Sequence, residues 1–307
     1  MIIKRAQIAA KAESVEGTAE TLAGADAFLA QNISFSPEIE MGTRDNVSSS
    51  LSNFSQVPGA SKATLEFDVE LKGSGTAGTA PALGKLLLAC GFGETVASGV
   101  SVTYKPASTG IGSISLAVYN DGVRYGVFGA RGNVSLKLEK GKPGMLHFVF
   151  TGADFTVTDV AMLSSGVSYE TTVPKPFLSA TMTIDSYAAL LGSMEFNMNN
   201  DIALRPDVNV SSGYKSAVIT GRRPTLSIDP EMVLVATYDF FGKWRSGNEG
   251  ALTLALTGSA GNICTITAPK VQYTGVKPAD NSGIRSLGID CQLNRNAGDD
   301  EIVIVFT

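Results

Sequence analysis

The sequence predicts a mainly β protein, built from two tandem domains of strands with one short α-helix in each. Three observations carry this expectation. Short runs alternate apolar and polar residues, as in KATLEFDVEL, where Leu65, Phe67, Val69 and Leu71 interleave with Thr64, Glu66, Asp68 and Glu70. A period of two belongs to a strand with one buried face. Glycine, serine, threonine and valine are abundant, and turn signals separate the runs, a composition that favours sheets joined by turns. Finally, the order of elements in the first half recurs in the second.

The elements follow in order. Residues 1–30 show no strong period and read as an N-terminal arm. NISFSPEIEM is the first clear strand, and the polar stretch at 45–61 is a long loop. Long structureless loops in compact domains are usually functional or mobile. KATLEFDVEL is a half-buried strand with an acidic wet face. ALGKLLLACGF is a short helix, with Pro81 near its first turn and Gly91 past its end. Asp121-Gly122 between alternating segments marks a hairpin, and EKGKPG marks another turn. These elements make residues 31–152 the first domain. Residues 153–176, rich in Ser and Thr and holding Pro174 and Pro176, read as a linker or insertion, and 177–307 as the second domain.

A shift of 161 positions places Phe35 on Phe196, Arg44 on Arg205, Val47 on Val208, Leu65 on Leu226, Asp68 on Asp229 and Glu70 on Glu231. The loops at 45–61 and 206–222 then have equal length. The helices align through Gly84-Lys85 and Gly242-Lys243. A shift of 138 places Gly112 on Gly250 and Ala130 on Ala268. LHFVFTG and DEIVIVFT are expected to close the two halves. The period is too long for a solenoid repeat and implies two copies of a whole domain.

Composition excludes several functions. Hydrophobic residues are 44% and charged residues 17%, as in a folded chain rather than a disordered one. A net charge of −5 argues against a basic surface that grips nucleic acid. Cys90, Cys264 and Cys291 are too far apart for a zinc motif and odd in number, so they read as buried thiols in a reducing compartment. No apolar run reaches the roughly 18 residues that span a bilayer, and Lys11, Glu13 and Glu16 interrupt any signal-like stretch. No membrane association is expected.

Catalytic chemistry finds no constellation. His147 is the single histidine, and its place between Leu146 and Phe148 puts it on the wet side of a strand. GSGTAG at 73–78 matches a nucleotide-loop pattern, but the preceding strand alternates and no second β-α-β unit follows. It reads as a close-packed turn. The scattered carboxylates read as solvated strand faces. No enzyme activity, metal or cofactor is expected.

KAESVEGTAETLAGADAFL, LKGSGTAGTAPALGKLLLACGF and NDGVRYGVFGARGNVSLKLEKGKPGMLHFVFTG resemble the tail tube (major tail) proteins of long-tailed bacteriophages, of the siphophage type. The resemblance is strongest over residues 10–152 and reaches the second half through the repeat. It implies two tandem tail-tube-type β-sandwich or barrel domains, each with one short flanking α-helix, a virion protein assembled in the host cytoplasm, and rings stacked into a conduit for DNA. Implied partners are further copies of the chain, a tape measure protein, tail terminator or tip proteins and DNA in transit. The N-terminal arm and the loop after the first strand are implied to reach the neighbouring ring. Two domains per chain would let three chains form a six-domain ring. Candidate contacts between subunits or rings are Arg44, Asp45, Asn46, Ser49, Asn53 and Phe54 in the first loop, and Arg205, Asp207, Asn209, Tyr214 and Lys215 in the second. Glu66, Asp68, Glu70, Asp229 and Glu231 are candidate lumen acids, because a wall past which DNA slides should not bind phosphate. Trp244 reads as core. The rival expectation is a two-domain receptor- or carbohydrate-binding tail protein, which would need exposed aromatic clusters.

Overall fold

The alternating runs become strands along most of the chain. The computed structural model describes residues 4–307. The first half contains β1 (Ala6–Ala12), β2 (Ala27–Phe28), β3 (Gln31–Gly42), β4 (Val57–Glu70), α1 (Gly84–Ala89), β5 (Phe92–Ala97), β6 (Ser101–Pro106), β7 (Ile114–Asn120), β8 (Val123–Glu139), β9 (Met145–Gly152) and β10 (Asp154–Asp159). The second half contains β11 (Thr181–Ile184), β12 (Leu191–Asn197), β13 (Asn200–Pro206), β14 (Tyr214–Arg222), β15 (Thr225–Pro230), α2 (Phe240–Ser246), β16 (Glu249–Leu256), β17 (Cys264–Asn281), β18 (Ile284–Asn294) and β19 (Val303–Phe306). The protein is mainly β, as expected.

Antiparallel pairings link eight strands in the order β3-β4-β9-β8-β12-β15-β18-β17. One row of directly opposed residues crosses seven of them: Val69, Leu146, Leu136, Phe196, Leu226, Cys291 and Tyr273. Each is at most 6% exposed. The opposite face stays wet, with rows such as Glu70–Met145–Lys137–Glu195–Ser227–Asp290. Alternation alone assigns these residues to their faces.

A second layer covers the apolar face. In the first half it runs β1-β7-β8-β10, and in the second β11-β16-β17-β19. The long strands β8 and β17 serve both layers. Asp121 and Gly122 join β7 to β8, both with positive φ (45° and 107°), the geometry of a tight two-residue hairpin. Helix α2 has Asp239 as its N-cap, accepting a bond from the Gly242 amide at 2.7 Å, and left-handed Gly247 after its last turn. The β5–β6 hairpin occurs only in the first half, where β6 pairs with β19.

The two halves match in register. Phe35 faces Leu65 and Phe196 faces Leu226; Met41 faces Pro58 and Ile202 faces Ile219, each pair related by the 161-position shift. Ile114 faces Ala130 and Leu252 faces Ala268, at the shift of 138.

Four expectations need correction. The arm is a strand of the fold: β1 pairs along β7, and Ile8, Ala9 and Ala10 are buried, Ile8 and Ala10 in the main core. Residues 1–3 of that expected arm lie outside the described residues. The expected linker begins with β10, paired to β8, and continues over the outer layer. There Met162, Leu163, Val167 and Tyr169 pack on Ala9, Leu22, Ala117 and Tyr119. The counterpart of β9 is β18, because both sit beside the acidic strand; DEIVIVFT supplies β19, which occupies the place of β10. The two loops also differ in structure. Ala203, Leu204 and Arg205 pair with Val218, Ala217 and Ser216, so the second hairpin zips up to 207–213. TRDNVSSS lacks apolar alternation, and 43–56 stays open.

Candidate assembly surfaces

The two loops are polar and mostly exposed. In the first, Arg44, Asp45, Asn46, Ser49 and Asn53 are exposed, and the Arg44 guanidinium lies 5.7 Å from the ring centre of Phe54. This cation–π contact braces the two ends of the loop. Serines stiffen its middle: Ser50 N donates to Ser48 Oγ at 3.2 Å and Ser52 N to Ser50 Oγ at 3.1 Å. Val47 and Leu51 are fully exposed. In the second loop Asp207 accepts bonds from Asn209 N and Nδ2 at 2.9 and 2.8 Å, which lower its pKa. Val208, the counterpart of Val47, is also exposed.

The second hairpin is anchored to the first half. Glu16 bridges Arg131 at 2.7 Å and Arg205 at 3.1 Å, and Ser216 Oγ donates to it at 2.9 Å. Arg131 is 7% exposed and also donates to the carbonyls of Ile111 and Ala217. Burial pushes the Glu16 carboxyl up, but the bonds from Arg131 and Ser216 and the two positive charges outweigh it, leaving its pKa below the ordinary value. Tyr214 donates to Glu40 at 3.0 Å, a bond that raises the phenol pKa and ties the two hairpins side by side. Lys215 is exposed. The two equivalent arginines therefore differ: Arg205 has an acidic partner in its own chain, and Arg44 stacks on an aromatic ring.

Sequence reasoning missed Glu16, Arg131 and Glu40 here. Their partners lie so far along the chain that no local pattern reports them. Asn200 is a further case: its Nδ2 donates to the carbonyls of Cys90 and Gly132, and its amide to Asn133 Oδ1, stitching β13 to the first half.

The wet face of the eight-strand sheet holds the acids. Asp68 accepts from Asn32 Nδ2 at 2.6 Å and lies 2.7 Å from His147 Nδ1. Glu70 lies 3.4 Å from Lys72, and Glu66 stands in the row of Ser34 and Val149. Asp229 is occupied structurally: one oxygen accepts the amides of Gly192 and Ser193 at 2.9 and 2.7 Å, where β12 is irregular. Glu231 is exposed beside Ser286. Glu139 joins this face, its pKa drawn down to about 2 by bonds from Lys137 and Lys142. Trp244, expected in the core, is 39% exposed, because α2 turns only Phe240 fully inward.

GSGTAG meets no ligand-shaped cradle. It docks against the second half: Gly73 N donates to Asn262 Oδ1 at 2.9 Å and Gly75 N to the Gly261 carbonyl at 3.1 Å. A Cβ on Gly73 would sit 2.0 Å from the Gly261 oxygen, so the glycine serves a close backbone approach. Among the described residues no cluster of three or more His, Cys, Asp or Glu could hold a metal ion. No helix among them is long and apolar enough to cross a membrane.

A search of curated proteins finds no match. The sequence profile of the family described as "Phage tail tube protein" matches residues 3–291, nearly the whole chain, and the chain belongs to that family, a structural component of the phage tail.

Proposed function

We propose that this chain self-assembles into rings that stack into the tail tube and form the conduit for DNA during ejection. Each chain contributes two tandem tube domains, the first built on 31–152 and completed by β1 and β10, the second spanning about 177–307, so three chains make a pseudo-sixfold ring. The observation that carries this reading is the repeated register. Phe35–Leu65 and Phe196–Leu226 occupy the same place in two hairpins, as do Ile114–Ala130 and Leu252–Ala268. A chain that repeats its own unit side by side presents a head-to-tail contact, and such contacts close when the rotation divides the circle.

The loops at 43–56 and 207–213 are proposed to reach the next ring, with Val47, Leu51 and Val208 as exposed apolar anchors. The wet sheet face is proposed to line the lumen. The other face carries a second layer and helices, and a closed ring has more room for such bulk outside than inside. Tape measure and terminator or tip proteins are proposed partners at the ends and within the tube. Assembly is placed in the host cytoplasm.

Electron microscopy and native mass measurement of the purified protein test this. Hollow tubes whose rings contain three chains are expected. A stable monomer at high concentration, or rings of six chains holding twelve domains, would sink the stoichiometry.

A further inference from the structure

Within the chain, the two halves meet by one strand pairing. Strand β12 lies antiparallel to the end of β8, with Glu195 opposite Lys137, Phe196 opposite Leu136 and Asn197 opposite Ser135. The counterpart of β12 in the first half is β3, by the shared hairpin register. The counterpart of the end of β8 is the end of β17. Phe148 faces Val134 as Ile289 faces Val276, and Leu146 faces Leu136 as Leu287 faces Pro278. Both counterparts are edges. β3 pairs with β4 on one side alone, and residues 277–281 of β17 pair with β18 alone, since β16 ends its pairing at Gln272.

We infer that the free edge of β3 pairs antiparallel with residues 277–281 of β17 in a second copy of the chain, in the register that sets Phe35 opposite Pro278, Ser34 opposite Ala279 and Ser36 opposite Lys277. This rests on the tube reading above and specifies the seam between its subunits.

Two observations support the seam. An exposed edge leaves a row of backbone groups unpaired, a template for another strand. Residues 31–42 form such an edge with no charged side chain before Glu38, and 277–281 are exposed throughout. Burial differs where the register says it should. Phe196, covered by β8, is 1% exposed, whereas its counterpart Phe35 is only half-buried, although it touches the rings of Tyr125 and Phe155. Pro278, opposite Phe35, has no amide to donate, so the ladder there rests on the carbonyls and on the amides of the flanking residues. The seam also lacks the charged Glu195–Lys137 pair of the internal junction, having Ser34 and Ala279 instead.

The test is site-specific cross-linking. Directly opposed antiparallel residues have Cα atoms about 4.5–5.5 Å apart, within disulfide range, whereas diagonal neighbours lie at about 7–8 Å. Ser34→Cys and Ala279→Cys proteins, mixed and oxidised after assembly, are expected to form a covalent two-chain species. Ser36→Cys mixed with Ala279→Cys should form it at least about fivefold less, given that spacing. The native cysteines are buried and contribute little background. Hydrogen exchange on the unmodified protein gives an independent reading: the amides of 32–36, 277 and 279–281 that point away from β4 and β18 should slow by about tenfold or more on assembly. Tubes that form without protection at either edge, or that cross-link only in the displaced pair, overturn the seam and leave the tube reading standing. A chain that never assembles overturns both.

Discussion

At the scale of single residues, Glu16 holds more of the structure than its place in an apparent arm suggests. It is the counter-charge of Arg131, which is almost fully buried, and of Arg205. Removing one partner of a buried pair costs more than the pair is worth, because a charge is left unmatched. Glu16→Gln should lower stability near neutral pH by about 1–3 kcal/mol, below the range for a fully buried pair because the carboxylate keeps contact with solvent. Its folded pKa is depressed, so its contribution is present above the unfolded carboxyl value and fades as pH falls through the folded one. Urea midpoints of wild type and Glu16→Gln should therefore differ at pH 7 and converge in acid; parallel curves would refute the assignment. Glycine gives a second residue-level case. Gly261 has φ +81°, and an added Cβ would lie 2.2 Å from the Thr76 amide nitrogen, whereas Gly283 has φ +88° with nothing within 4 Å. Gly283→Ala should cost about 1–2 kcal/mol from backbone strain alone. Gly261→Ala should cost clearly more, since backbone must also move where the halves dock. Equal thermal shifts would mean that this close approach is unimportant.

At the scale of elements, equivalent side chains sit in unequal surroundings. Phe196→Ala should destabilise the isolated chain by about 3–5 kcal/mol, the range for a fully buried phenylalanine. Phe35→Ala should cost less than half of that in the monomer, because its side chain is only half-buried. Denaturant titrations of the two variants under non-assembling conditions provide the comparison, and equal losses would contradict the difference in burial. Strand identity was largely legible because alternation decides which face of a sheet each residue takes: Leu65, Phe67 and Val69 turn inward, and Glu66, Asp68 and Glu70 outward. The hairpin repeat was legible for the same reason, since a one-residue slip would have exchanged the faces. Illegible were the elements fixed by distant partners. β1 is short and small-residue-rich, and pairing with β7 and β2 makes it a strand. Likewise β19 takes the place of β10 beside a long strand, an assignment that spacing along the chain does not encode. At the candidate surfaces, loop polarity was readable, while the Glu16 bridge and the Tyr214–Glu40 bond depend on contacts across the two halves, and the use of Asp229 as a backbone acceptor depends on the irregular neighbouring strand β12.

At the scale of the whole molecule, one continuous sheet runs through both halves and ends in two unpaired edges. Eight strands from each of three copies would close it into a barrel without edges, which removes the hazard of exposed strand ends. Its wet face carries Glu38, Glu66, Asp68, Glu70, Glu139, Glu195 and Asp290, against Lys62, Lys137 and Lys277 on the same strands and Lys72 and Lys142 beside Glu70 and Glu139. If that face lines the channel, the excess of carboxylates keeps phosphate from settling on the wall. Glu66→Lys combined with Asp290→Lys should then turn a non-binding channel into a retentive one. Each added cation that meets a phosphate steepens the dependence of log K on log salt by about 0.9 for duplex DNA. Assembled variant tubes should accordingly slow DNA release in low salt and recover in high salt, while wild-type tubes show little change with salt. The same substitutions on an outer wall would leave release from the lumen untouched at every ionic strength, which would move the acidic face to the outside of the tube.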